Sequence, residues 1–396
     1  MDQQGRGNPT APEPLVIIGA SARALAQSAT AAGWGVHAAD LFNDDDLRST
    51  AVHSVRVDAR GYPGSLVAAM TPFPQAVWCY TGAIENHPSL IDDLAAIRPL
   101  AGNAGATVRA VRDPALLATA TQAAGLMFPS TYATADGLPR DGSFLVKPRA
   151  SASGRGIHRW ASAAPAPDRE PLIWQRHVPG VPHAASFIIT RGRARLLGLS
   201  RQLLGEPWCT GEPFAYGGSI TLGSAETPPQ LGALATMLGA MLAERFHLVG
   251  AVGVDLVIDA GGQPWIIEVN PRVTASMELH ERSTGISIAA AHLEACGVVH
   301  RTATPPLGEG DGRRWAKAVL HTPVPLAITD ERVAFWHTHA AAWSRADGGR
   351  PALADIPAAG HTLSARAPVL TVFARGDSAA ATRAELRRRV AVLSTR

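Results

Sequence analysis

Lysine is almost absent from this sequence of 396 residues. Lys147 and Lys317 are its two lysines, so arginine supplies nearly all of the 36 Lys and Arg residues. Lysine carries a compact charge on a flexible stem, whereas arginine is a broad planar fork. A narrow pocket around one phosphate oxygen can therefore require a lysine. The alternative is that both lysines are ordinary surface cations, which are usually interchangeable.

Cysteine and long hydrophobic runs are also scarce. Cys79, Cys209 and Cys296 lie far apart without a CxxC spacing, which argues against a disulfide framework or structural zinc and favours a reducing compartment. The longest apolar run, residues 231–243, is too short to span a bilayer. The first residues lack the basic start and apolar core of a secretion signal. We expect a cytoplasmic protein without a membrane partner.

No region of the chain concentrates charge of one sign. The net charge is +3, with 17% charged and 46% hydrophobic residues, a composition typical of a globular protein. The densest basic cluster, Arg387–Arg389, interrupts the pattern of a C-terminal helix. Nucleic-acid-binding domains usually carry a basic patch on one face. We therefore expect no nucleic-acid partner.

The first hundred residues alternate apolar strands with helices, which predicts a parallel α/β sheet. They lack the GxGxxG fingerprint of a dinucleotide site. Ser21 and Arg23 follow the first strand, where they either receive an anion or belong to a plain structural turn. Glu85 and Asn86 follow a later strand, at the sheet edge where ligands bind. Glu85 is equally well explained as a carboxylate near a helix cap.

Lys147 ends the apolar strand FLVK and precedes the flexible loop RASASGRG. Such a loop can turn several backbone N–H groups toward phosphate oxygens, while the lysine adds a mobile positive charge. The GxxxxGK[ST] pattern of a Walker A loop is absent. By itself, this pattern is a weak signal, and a solvated hairpin is its more common explanation.

A β-hairpin is predicted in GAVGVDLVIDAGGQPWIIEVNPR, residues 250–272. If Asp259 faces Pro264 across the turn, then Asp255 lies opposite Glu268, with Asn270 on the same face. Two opposed carboxylates repel each other unless a cation lies between them, and ligands that are all oxygen suit Mg²⁺. The alternative is that one carboxylate points to solvent or pairs with Arg272.

These two segments together resemble the ATP-grasp superfamily. The similarity extends to the segments GASARALAQSATAAGWGVHAADLF, GAIENHP, PLAGNAGATVRAVRDP and NPRVTASMELHE, which look like the biotin-carboxylase-related ATP-dependent carboligases. The resemblance implies an α/β (α+β) protein with an ATP-grasp fold, an N-terminal Rossmann-like parallel-sheet domain and a C-terminal β-rich region. The expected boundaries are a flexible leader at 1–13, the Rossmann-like domain at 14–105, the ATP-grasp domain at 106–300, and a region at 301–396 that completes the module.

The resemblance also implies an ATP site. Lys147 would bind the phosphates under a flap loop, and the strand and linker LIWQRHVPG would hold adenine, largely through backbone groups. The nucleotide-binding residues would be Lys147, Ser151, Ser153, Gly154, Gly156, Gln175, His177 and Val178. Two positions depart from the family: Arg176 replaces a usual glutamate, and Pro114 fills the position of a second phosphate-binding lysine. Arg112 or Lys317 is then the substitute.

For the reacting centre, the resemblance makes Asp255, Glu268 and Asn270 the ligands of Mg²⁺, with Mn²⁺ as an alternative. Arg272 would steady charge at the reacting atoms, with Lys147 as the second catalytic cation. The candidates for contact with the substrate are Arg23, Glu85, Asn86, Ser186, Arg201 and His280. Of these, a histidine such as His280 and a serine such as Ser186 are more often simply structural residues.

The implied function is an ATP-dependent carboxylate–amine, or carboxylate–nucleophile, ligase that acts through an acyl phosphate and releases ADP and phosphate. We expect small-molecule carboxylate and amine substrates, with a homodimer as one option. By resemblance alone, the reaction adds an amino acid in the biosynthesis of a one-carbon carrier cofactor. The alternatives are a carboxylase that activates bicarbonate and a regulatory subunit that binds ATP without catalysis.

Overall fold

The computed structural model describes residues 12–161, 171–210, 212–299 and 312–394. The predicted leader, residues 1–13, lies almost entirely outside these ranges. The N-terminal part of the chain forms a four-stranded parallel sheet with the strand order β3-β2-β1-β4. Its central strand is buried on both faces, since Leu15, Val16, Ile17 and Ile18 are each 0% exposed. The strands are β1 Pro14–Ile18, β2 Gly35–Asp40, β3 His53–Arg56 and β4 Val77–Tyr80, and the helices are α1 Arg23–Ala31, α2 Asp45–Thr50, α3 Gly64–Ala69 and α4 Pro88–Ala95.

Two short helices lead from this sheet to a small antiparallel sheet. The helices are α5 Gly105–Val111 and α6 Pro114–Ala123. The proline at the first position of α6 costs nothing there, because that N–H has no partner within the helix. The small sheet has the order β5-β8-β6-β7 and is formed by β5 Thr131–Tyr132, β6 Asp141–Pro148, β7 His158–Ala161 and β8 Leu172–Arg176.

The largest element is an eight-stranded sheet with the order β13-β12-β9-β10-β11-β14-β18-β16. Three of its strands come from the region after residue 311, which joins this sheet rather than folding separately. The strands are β9 Gly180–Thr190, β10 Arg193–Leu204, β11 Tyr216–Thr221, β12 Gly250–Asp259, β13 Pro264–Asn270, β14 Arg314–His321, β16 Leu353–Ala354 and β18 Pro368–Gly376. The remaining pair, β15 Leu326–Ile328 and β17 His361–Leu363, forms a separate ladder.

The two faces of the large sheet differ in polarity. One face packs on α7, Pro229–Arg245, whose Leu231, Leu238 and Leu242 are each 0% exposed. The other face carries Asp255 and is covered in part by α8, Met277–Thr284, which contacts β10, β11 and β14. The remaining helices are α9 Ile288–Ala295, α10 Asp330–Ala346 and α11 Ala379–Leu393.

The sequence-based expectation for Arg387–Arg389 was wrong, because these residues do not interrupt the C-terminal helix. They lie inside α11. Arg389 is 3% exposed, and its Nη1 donates to Asp347 Oδ2 at 2.6 Å, so a buried carboxylate stabilises it. In the described part of the chain, no helix is long and apolar enough to cross a membrane.

Candidate functional site

The predicted hairpin exists, but its register differs near the turn. Ile258, not Asp259, faces Pro264, so the predicted pairing of Asp259 with Pro264 was wrong. A β-bulge between Asp255 and Leu256 then shifts the ladder by one residue and places Asp255 opposite Glu268. The facing carboxylates were therefore predicted correctly, although the reason includes a bulge that the sequence did not indicate.

The carboxylate of Asp255 is held by two side-chain amides. Gln202 Nε2 donates to Oδ1 at 2.7 Å, and Asn270 Nδ2 donates to Oδ2 at 3.2 Å. Burial, and then the charge of Glu268, raises the pKa of Asp255 to about 6. The two amide donors thus do not compensate Asp255 for its burial and for the neighbouring negative charge of Glu268.

The arginine that pairs with the Asp255–Glu268 carboxylates is Arg112, not Arg272 as the sequence-based alternative had it. Arg112 Nη1 donates to Glu268 Oε1 at 2.8 Å. Arg272 pairs instead with Glu85, since its Nη2 donates to Oε1 at 2.5 Å, and it reaches Asn270 Oδ1 at 3.4 Å. Arg112 thus lies at the site, which is what a substitute for the missing lysine requires.

The oxygen donors fit a divalent cation that is shared with a substrate. Asp255, Glu268 and Asn270 supply two carboxylates and an amide oxygen on one face of the hairpin. Among the described residues, no group of three or more His, Cys, Asp or Glu side chains forms a complete protein cage for a metal. Mg²⁺ commonly takes one or two carboxylates and completes its shell with water and phosphate oxygens. The set fits such an ion.

Lys147, at the end of β6, lies near the carboxylate pair. Its burial lowers its pKa, while the charges of Glu268 and then Asp255 raise it. Its Nζ donates to Gln175 Oε1 at 2.5 Å, and Gln175 Nε2 donates to Thr131 Oγ1 at 3.2 Å. Because both ends of the Gln175 amide are occupied, this side chain holds the lysine in place.

The predicted flap, residues 151–156, is tied to the large sheet and to the N-terminal sheet. Tyr216 N donates to Ser153 O at 3.0 Å, and Asn86 Nδ2 donates to Ser151 O at 3.1 Å. Gly154 has φ +74°, and a Cβ there would lie 1.9 Å from Phe214 O. Only glycine fits this close approach of two backbones.

The predicted adenine linker begins at the end of β8. The amide of Arg176 donates to Ser130 O at 2.8 Å, and that of His177 donates to Ser143 O at 2.8 Å. Because the N–H of His177 is already used, its backbone could contact an adenine only through the carbonyl group. Val178 is the next residue of the linker. The Arg176 side chain is exposed.

The other substrate candidates lie in different places, and four of them are at or near the hairpin. Glu85 and Asn86 lie at the site through their contacts with Arg272 and Arg112. Ser186 pairs with Gly253 on β12, and His280 packs against Gly198, where a Cβ would lie 2.5 Å from Nδ1. These two side chains are buried next to the hairpin, at 0% and 4% exposure.

Arg201 does not join the site. The preceding residue, Ser200, pairs with Ala184, which pairs with Asp255 on its other side, so Ser200 and Asp255 point to the same face of the sheet. Because side chains alternate along a strand, that of Arg201 lies on the opposite face. It is exposed.

Arg23 does not lie free at the start of α1, so of the two alternatives that the sequence left open, the structure favours the plain structural turn over the anion site. Its Nε donates to Asp355 Oδ1 at 2.8 Å, and its Nη1 contacts Glu278. The nearby Ala22 amide donates to Asp40 Oδ2 at 2.9 Å. A guanidinium committed to buried carboxylates has no capacity left for a phosphate.

Lys317 belongs to the same buried charge cluster. It is 4% exposed, and its Nζ donates to Glu278 Oε2 at 3.1 Å. Burial alone would raise the pKa of Glu278, but the charges of Arg23, Lys317 and Arg282 hold it well below its usual range. Lys317 is thus paired with Glu278. Of the two substitutes considered for the missing lysine, Arg112 is the one that the structure places beside the carboxylate pair.

Sequence reasoning missed two residues. Gln202 donates to Asp255 directly, and Thr131 accepts from the Gln175 amide that holds Lys147. Gln202 lies near the end of β10. A period-2 reading of SRQLL would have placed Gln202 on the face of Ser200, but no local pattern marks Asp255 as its partner.

A parallel sheet followed by a small and a large antiparallel sheet, with a lysine on the small one and facing carboxylates on the large one, is the architecture of the ATP-grasp class. Residues 111–276 match the family model of the ATP-grasp domain. Residues 111–276 are thus an ATP-grasp domain, and the fold of the chain as a whole is similar to the solved structures described next.

Solved structures resemble nearly the whole chain at low sequence identity. An N5-carboxyaminoimidazole ribonucleotide synthetase in an ADP complex is 15% identical, with a TM-score of 0.68 and 97% of each chain covered. An L-amino acid ligase from Bacillus licheniformis is 15% identical, with a TM-score of 0.64 and 96% of this chain and 97% of that chain covered.

The biotin carboxylase domain of a 2-oxoglutarate carboxylase from Hydrogenobacter thermophilus is 12% identical. Its TM-score is 0.64, with 92% of this chain and 86% of that chain covered. No curated protein matches the sequence significantly.

Proposed function

We propose that this protein is an ATP-dependent ligase that joins a carboxylate to an amine or another nucleophile, with release of ADP and phosphate. The observation that carries the proposal is the convergence of Lys147, the Asp255–Glu268 pair and Arg272 in an ATP-grasp fold. The names of the similar structures, a synthetase, a ligase and a carboxylase, support the same class.

The chemistry has two balanced steps. In the first, a carboxylate oxygen attacks the γ-phosphorus of ATP, the bond to the β-phosphate oxygen breaks, and ADP leaves. In the second, the amine nitrogen attacks the acyl carbon, the carbon–oxygen bond to phosphate breaks, and the nitrogen loses a proton to solvent. Phosphoryl transfer depends mainly on positioning and charge neutralisation, which cationic side chains can supply.

Each residue has a defined task in this proposal. Lys147, oriented by Gln175, neutralises phosphate oxygens beneath the flap. Asp255, Glu268 and Asn270 hold Mg²⁺, which supplies further neutralisation of the phosphates when bound. Arg272, fixed by Glu85, holds the substrate oxygen on which charge develops. The flap limits the access of water to the acyl phosphate.

The test is release of ADP and phosphate from Mg-ATP over a panel of carboxylic acids, including amino acids and bicarbonate, each with and without amines. A carboxylate labelled with ¹⁸O must transfer one labelled oxygen to the released phosphate. Asp255→Asn should abolish turnover, whereas Asp136→Asn, at an exposed loop position, should retain it.

The outcome distinguishes the candidate functions. Turnover with bicarbonate alone would identify a carboxylase, and ATP binding without turnover on any acid would identify a regulatory subunit. The narrower proposal, amino-acid addition to a one-carbon carrier cofactor, rests on the family resemblance alone. It requires an amino acid as the active acid in this panel.

A further inference from the structure

Asn86 lies between two parts of the candidate site, the flap of residues 151–156 and Arg112. It ends the short helical turn Ile84–Asn86, which connects β4 of the N-terminal sheet to α4. Its backbone belongs to neither antiparallel sheet, but its side chain contacts both the flap at Ser151 and the guanidinium of Arg112.

The two ends of the Asn86 amide have different partners. Its Oδ1 accepts a hydrogen bond from Arg112 Nη2 at 2.9 Å. Its Nδ2 donates to the Ser151 carbonyl, in the flap, at 3.1 Å. An amide is one of the few side chains that donates and accepts in the same plane, so both contacts form together.

Arg112 continues this connection to the carboxylate pair. Its Nη1 donates to Glu268 Oε1 at 2.8 Å while its Nη2 contacts Asn86. The planar guanidinium fork fixes the angle between these two contacts. A single chain of hydrogen bonds therefore runs from the flap backbone through Asn86 and Arg112 to a proposed magnesium ligand.

We propose that Asn86 is a positioning residue that couples closure of the flap, residues 151–156, to cation binding at Glu268. This inference rests on the proposed function, because it assumes that the site binds Mg-ATP. When the flap closes, Ser151 fixes the Asn86 amide, which holds Arg112 and thereby orients the carboxylate of Glu268. By reciprocity, cation binding at Glu268 favours the closed flap.

The first experiment measures the affinity for a non-hydrolysable ATP analogue by calorimetry, with Mg²⁺ and with EDTA. The ratio of the two affinities is the contribution of magnesium. Asn86→Ala should reduce this ratio about tenfold, the effect of losing one hydrogen bond to a charged group. Affinity in EDTA should change by less than about threefold. A residue that merely supports the fold would lower both affinities alike.

The second experiment measures backbone hydrogen exchange in residues 151–156 after addition of the analogue with Mg²⁺. Asn86→Asp retains the acceptor for Arg112 but cannot donate to Ser151. It should lose the protection of the flap while keeping more of the magnesium effect than Asn86→Ala. Gln230→Ala, which removes an exposed amide from α7, is the matched control and should behave as the wild type.

The results separate this inference from the proposed function. A wild-type protein that does not bind the analogue overturns both. A wild-type protein that binds it, together with Asn86 variants that keep both the magnesium ratio and the flap protection, overturns the coupling alone. If Asn86→Ala does not fold, the contrast between Asn86→Asp and the wild type decides the question.

Discussion

Replacing Asp255 with asparagine is expected to stabilise the metal-free protein while it removes a proposed magnesium ligand. The pKa of Asp255 is raised from 3.8 to about 6 by burial and by Glu268. A carboxyl group whose pKa is higher in the folded state destabilises that state when ionised. The neutral amide avoids this cost and can still bond with Gln202 and Asn270 after their amide groups rotate.

The magnitude follows from the shift in pKa. A shift of two units at about 1.4 kcal/mol each gives an upper value of about 3 kcal/mol. Asp255 is partly exposed, so solvent screening reduces the effect, and we expect a gain of about 1–3 kcal/mol above pH 6. The gain should decline between pH 6 and pH 4 and vanish below pH 4, where the wild-type carboxyl group is neutral in both states.

Denaturant unfolding in EDTA at pH 7.5 and at pH 4 measures this difference, with Asp136→Asn as the control. In parallel, Asp255→Asn should lose the magnesium-dependent part of nucleotide binding. A variant that is less stable than the wild type at pH 7.5 would refute the reasoning, because it would show that Asp255 is satisfied without a cation.

Three further changes test other parts of the structure. Lys147→Arg should weaken Mg-ATP binding at least about tenfold in calorimetry, because the larger fork does not fit beside Gln175; unchanged affinity would make that lysine replaceable. Gly154→Ala should abolish flap protection in hydrogen exchange, because its Cβ would lie 1.9 Å from Phe214 O; retained protection would contradict the close approach. Glu278→Gln should lower the free energy of unfolding by about 3–5 kcal/mol at pH 7, because it removes the carboxylate that pairs with buried Lys317; a loss below about 1 kcal/mol would contradict this.

The sequence predicted much of the fold because its periodicities are local. Apolar runs that alternate with helices in the first hundred residues predicted the parallel sheet. The facing of Asp255 and Glu268 also followed from the two-residue period of strands, although a bulge, not the predicted turn register, produces it.

Contacts between distant segments were not predictable in this way. Ion pairs such as Arg23 with Asp355 join side chains 332 residues apart, and no periodicity relates such positions. The sequence marked Arg23 as an anion-binding candidate because it starts a helix after a strand. The fold instead commits its guanidinium to buried carboxylates, because a buried charge needs a partner.

By itself, the sequence determined which residue types carry the chemistry: one lysine before a glycine-rich loop, and carboxylates on adjoining strands. Only the tertiary structure decided which arginine faces Glu268, which carboxylate fixes Arg272, and which amide joins the flap to Arg112. The physical reason is that the periods of strands and helices operate over a few residues. Charged side chains, in contrast, pair with partners from distant segments that the packing of the fold brings within hydrogen-bonding distance.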